Sequence, residues 1–125
     1  MTSRSASLAK LYEWRHRPYF SSLAVWESRG LIKSPDPVPW NLDSAKNTLV
    51  DALLKLTFAD ADEQRLITMI LEHLATELSG KSYDTEEREF LTDCFFQIAM
   101  SLELSDFEAR YSEWGSSGKF QRRFA

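Results

Sequence analysis

Between Leu66 and Leu102 the chain carries two apolar stripes at helical spacing, joined by a connection short enough to force an antiparallel helix pair. In the first stripe Leu66, Ile67, Ile70, Leu71, Leu74, Ala75 and Leu78 fall within about 180° when the helix is stepped at about 100° per residue. The second runs through Phe90, Leu91, Cys94, Phe95, Ile98, Ala99 and Leu102 with similar width. Only Gly80 to Tyr83 separate them, and no stretch elsewhere alternates with period two for long enough to argue a half-buried strand. The spacing predicts an all-α fold, a compact single-domain bundle of five or six helices.

The remaining elements follow from punctuation. A first helix is expected over Ser5 to His16 with Leu8, Leu11 and Tyr12 inward, ended or kinked at Arg17-Pro18. Pro18 suits the first turn of a second helix that reaches Arg29, with Phe20, Leu23 and Ala24 on one side and Gly30 just past its end. Three prolines in five positions make Ser34 to Trp40 an extended, Pro-rich connector (residues 34–40), with Trp40 plugging it onto the domain. A third helix is predicted from Asp43 or Ser44 to Phe58, with Ala45, Leu49, Ala52, Leu53 and Leu56 on a broad apolar face. Asp60 and Asp62 are placed to cap the fourth helix, which runs to Ser79 and stops at Gly80. Asp84 or Thr85 begins the fifth, and Ser105 with Glu108 makes a capping box for a sixth. The helical domain spans residues 1–118, and a basic, aromatic C-terminal tail covers residues 119–125.

Composition supports one soluble domain. Apolar residues make up 43% and charged residues 27%, which is ordinary for a chain that folds unaided. The single cysteine, Cys94, cannot form an internal disulfide, no apolar run approaches the roughly 18 residues of a membrane span, and no signal-type stretch follows the polar start. A reducing, cytoplasmic location is expected, with no membrane attachment.

Motifs for chemistry are sparse. Glu13 and His16 match half of a di-metal bundle pattern, but the second copy is missing: Ile70 stands three residues before His73. His16 reads as a surface or capping residue, and His73 as an ion-pair partner for Glu77 one turn on. Cys94, mid-stripe, reads as a small buried hydrophobe. The acids Asp60, Asp62 and Glu63 and the acids Asp84, Glu86, Glu87 and Glu89 lie at helix starts, where capping explains them. With four glycines and no phosphate-cradling loop, no cofactor, no metal and no catalytic residue is expected.

Charge is unevenly spread, and this bears on partners. Residues 1–33 carry six Lys/Arg against two acids, residues 34–114 six against seventeen, and residues 115–125 three against none, for a net −4. On the fifth helix, Phe96 and Met100 fall on the face opposite the apolar stripe, among Glu89, Asp93 and Glu103. Either that helix is central and covered on both sides, or these five residues form a partner-binding patch. The expected function is a non-catalytic protein-interaction module, of an adaptor, inhibitor or immunity type, whose acidic face takes another protein of basic character. A second copy of the chain, making a homodimer, is the other occupant such a patch admits.

Two alternatives come from different features. Trp14 to Phe20 and the arm Lys119, Phe120, Arg122, Arg123 and Phe124 interleave cations with aromatics, the pattern of a nucleic-acid-associated regulator. Few cations on an acidic body make nucleic acid the lesser expectation. The other alternative is a small helical enzyme or ligand-binding bundle centred on His16 or His73.

Overall fold

The structure is a computed structural model that describes residues 3–120, and within them the only regular secondary structure is helix, with no strand. Six helices follow in order: α1 (Arg4–His16), α2 (Leu23–Ser28), α3 (Val38–Phe58), α4 (Glu63–Gly80), α5 (Thr85–Ser101) and α6 (Phe107–Ser116). Helix α3 packs on α1, α4 and α5, and α1 also meets α5, so four helices close around one core with α6 laid against α4. Both stripes face inward: Leu66, Ile67, Ile70, Leu71, Leu74 and Leu78 of α4 and Phe90, Leu91, Cys94, Phe95, Ile98 and Ala99 of α5 are buried. Around Phe90 the rings of Phe20, Trp26 and Tyr19 gather edge-on or tilted at 4.8, 4.8 and 5.5 Å.

Helix starts obey the expected capping chemistry at α4 and α5. Asp62 accepts from the Arg65 amide, and Asp84 with Glu87 forms a complete capping box. At α6 the box is not made. Asp106 is the N-cap without a side-chain cap bond, and Ser105 and Asp106 instead bond Glu63 and Gln64, tying the start of α6 to the first turn of α4.

Four helix ends share one device, in which the residue past the cap takes a left-handed conformation while two amides bond back into the last turn. It is built by Gly30 after α2, Asp60 after α3, Glu103 after α5 and Gly118 after α6. Asp60 therefore ends α3 rather than capping α4, and Arg4 reaches it across the fold (3.3 Å).

Three boundaries differ from the sequence reading, each for a physical reason. Helix α2 starts at Leu23, not Pro18, because Asp43 collects the amides of Tyr19 and Phe20 on Oδ1 (3.2 and 2.9 Å) and that of Ser21 on Oδ2 (2.8 Å). Those donors are satisfied outside any helix. Helix α3 starts at Val38, so the connector ends at Pro37; a proline in the first turn gives up no intrahelical bond, and Pro39 is accepted there. Asp43 thus sits inside α3 instead of beginning it. Trp40 does not plug the domain: it is 71% exposed. Tyr12 and Leu23, expected inward, are about half exposed as well.

Lys46, one turn after Asp43, is the other charge in this interior. Its side chain is buried, its Nζ donates to the carbonyls of Trp14 (2.7 Å) and Arg17, and it thereby closes the C-terminal end of α1. Burial pulls its pKa below the ordinary lysine value, against the opposing pull of Asp43.

Candidate protein-binding groove

The outer face of α5 carries Glu89, Asp93, Phe96 and Met100, and the turn after it carries Glu103. Two side chains of α6, a helix packed on α4, reach across this face. Phe107 and Tyr111 set their edges on the Phe96 ring, with centroids 4.9 and 4.7 Å away and interplanar angles of 84° and 77°. Phe96 is consequently half-buried against the core rather than standing free at the centre of a patch. The five residues foreseen as one surface are divided into two by this crossing.

On one side, Glu89 and Asp93 line a cleft of about 390 Å³ together with Leu78, Arg88, Thr92, Tyr111 and Phe120. Its charge is largely committed inside the molecule. Arg29 donates to Asp93 (2.5 Å) while its guanidinium lies over Phe90 at 4.7 Å. Arg88 donates to the carbonyls of Leu78 (2.5 Å) and Phe120 (3.1 Å), joining the end of α4 to the start of the C-terminal arm. Phe120 stacks on Tyr111 (5.0 Å, 25°), and Lys119 lies over the Trp114 ring at 4.6 Å. The first two residues of the basic arm are therefore packed on their own domain. Arg122, Arg123 and Phe124 lie outside the described residues.

On the other side, Met100 and Glu103 remain available. With Phe96, Leu104, Ser105, Phe107 and Glu108 they enclose a groove of about 270 Å³. Its floor is apolar, since Leu104 and Phe107 are buried, and Met100 projects beside it at 73% exposure. Glu103 and Glu108 form the rim, and neither belongs to an ion pair among the described residues. Glu103 holds φ 55°, a conformation that costs an L-residue other than Asn or Asp about 1 kcal/mol. Asp60 meets the same demand with a tolerant side chain and an ion pair; Glu103 has neither.

The other residues singled out by sequence sit apart from this groove. His73 is partly buried beside a cleft between α3 and α4, where burial lowers its pKa against Glu72 and Glu77. Glu77 is bonded by the Tyr83 hydroxyl (3.2 Å). His16 lies exposed at the end of α1, in a different cleft. The Cys94 thiol is fully buried, and that burial pushes its pKa far up, which favours the protonated form. Among the described residues no group of three or more His, Cys, Asp and Glu is placed to hold a metal ion, and no helix is long and apolar enough to cross a membrane.

Sequence reasoning missed the Asp43–Lys46 interior and the role of α6 as a cover. The first left a signal: two charges three apart, set between Leu42, Ala45 and Leu49 on the apolar side of a helix. The second left none. No protein-family model, curated protein or solved structure matches the chain, so geometry alone carries the functional reading.

Proposed function

We propose that this protein is a non-catalytic interaction module that takes a basic segment of another protein in the Met100 groove. One large apolar side chain of the partner fills the space between Met100, Phe96 and Phe107, and its cations meet Glu103 and Glu108. A groove of 270 Å³ falls just below the roughly 300 Å³ at which small-ligand pockets begin, and it suits a side-chain anchor ringed by charge.

The observation that carries this reading is Glu103. A glycine at its position would relieve the backbone, so an acidic side chain held there at a cost to stability points to work done by the carboxylate. Rim acids that form no ion pair among the described residues favour a basic partner and speed its approach by steering.

Selection of a peptide display library against the full chain tests the proposal. The expected winners are basic sequences with one large apolar residue, whose binding weakens with salt and is lost in Met100→Ser. Enrichment of acidic or uncharged peptides, or binding indifferent to Met100→Ser, would overturn it. A solution mass showing a dimer that Met100→Ser dissociates would equally overturn it, by giving the groove to a second copy of the chain.

A further inference from the structure

A second cleft, independent of the groove above, lies between the end of α1 and the first turns of α3 and encloses about 470 Å³, within the range of small-ligand sites. We infer that it binds a mononucleotide, the planar base lying against Trp40 and the phosphate held by Arg17 and His16.

Four observations converge on this chemistry. Trp40 stands at the cleft 71% exposed, and among the described residues it makes none of the ring or cation contacts that engage Trp14, Trp26 and Trp114. A bare indole beside polar walls is a stacking platform for a heteroaromatic ring. Arg17 puts a cation, and His16 a ring nitrogen, on one lip of a molecule whose net charge is −4, beside an Arg15 that is itself engaged by Asp51. Arg17 is oriented by the Trp14 and Tyr19 rings, 5.1 and 5.6 Å from its guanidinium carbon, and has no carboxylate partner among the described residues.

The two carboxylates in the cleft do not cancel this. Asp43 is saturated by the backbone of residues 19–21 and the Ser21 hydroxyl (2.5 Å), and Asp51 is held by Arg15 at 2.8 Å. Lys46 beneath them fixes the end of α1, so the cationic lip is rigidly placed. Finally, Asn47 lines the cleft with a side-chain oxygen that is shielded from solvent and bonded to nothing among the described residues. An orphan amide acceptor is costly, and a small turn of the side chain offers it to a base amino group or a sugar hydroxyl. The Ser44 hydroxyl, one helical turn below Trp40, adds a second polar contact.

Titration of the full chain with AMP, followed by tryptophan fluorescence and calorimetry, tests the inference. Saturable binding with quenching is expected, falling as salt is raised, with adenosine, inorganic phosphate and phenyl phosphate each weaker. Trp40→Leu should weaken AMP by about tenfold, the size of one lost base stack, and Arg17→Gln should remove the salt dependence. Because Trp40 is exposed, its variant keeps the wild-type melting temperature and separates loss of binding from loss of fold. No binding at millimolar AMP, equal binding of phenyl phosphate, or AMP affinity unchanged in Trp40→Leu would overturn the assignment. So would an oligonucleotide whose binding survives Trp40→Leu, since that would place the phosphate attraction elsewhere.

Discussion

Glu103 occupies, at the end of α5, the same left-handed position that Gly30 occupies at the end of α2, with φ 55° against 70°. In both places two amides bond back into the final turn, from Glu103 to Met100 and Leu104 to Ala99, and from Gly30 to Glu27 and Leu31 to Trp26. The backbone device is shared, and only one of the two residues is suited to it.

Glu103→Gly should therefore stabilise the protein by up to about 1 kcal/mol in urea unfolding while weakening capture of basic peptides. A variant that is less stable, or that binds peptides as tightly as before, would separate the strained residue from the function assigned to it.

Neighbouring residues in the same groove should respond in opposite ways. Phe107 is buried and supports the Phe96 ring, so Phe107→Ala is expected to cost about 3–4 kcal/mol. Met100 is exposed, and Met100→Ser should stay within about 0.5 kcal/mol of the parent. Comparable losses for both would mean that Met100 is packed in the folded chain.

Asp43→Ala removes the acceptor for three backbone amides and leaves Lys46 buried without its opposing charge. A loss of about 3–5 kcal/mol is expected, read by thermal or urea melts, with Asp43→Asn retaining part of it. A small effect would show that water reaches these donors as well as the carboxylate does.

Stability should be flat near neutrality and fall on both sides. Burial raises the pKa of Cys94 above its ordinary 9.0 and those of Tyr19, Tyr83 and Tyr111 above 10.0. Unfolded thiol and phenols thus release protons first, and stability present below pH 9.0 is lost as pH rises past it. Lys46, lowered from 10.5, works in the opposite sense but is one group against four. His73, lowered from 6.5 by burial, takes up its proton more readily in the unfolded chain, so acidification below 6.5 is also destabilising. Urea midpoints across pH measure both limbs. Cys94→Ala should delay the alkaline onset and His73→Gln should soften the acid one; no change in either limb would refute the assignment.

The parts legible in the sequence are those governed by neighbours along the chain. The α4 and α5 stripes, the Asp84–Glu87 box and Gly30 past α2 all follow from spacings of a few residues. What stayed hidden depends on partners far away in sequence. Asp43 draws residues 19–21 out of a helix from more than twenty positions off, and Phe107 covers Phe96 only because α6 is tied to α4 through Gln64 and Glu63. Trp40 misled because three prolines read as an extended connector although the last is tolerated in a first helical turn. The groove was half legible: Met100 and Glu103 could be placed on the acidic face, whereas its division by α6 could not.

The chain's sole sulfhydryl supplies its own clock for internal motion. With no solvent contact at Cys94, a thiol reagent can label it only when α5 parts from its neighbours, so the labelling rate counts openings of the core. Ligands that close the molecule, whether in the Met100 groove or beside Trp40, should slow that count without touching the sulfur.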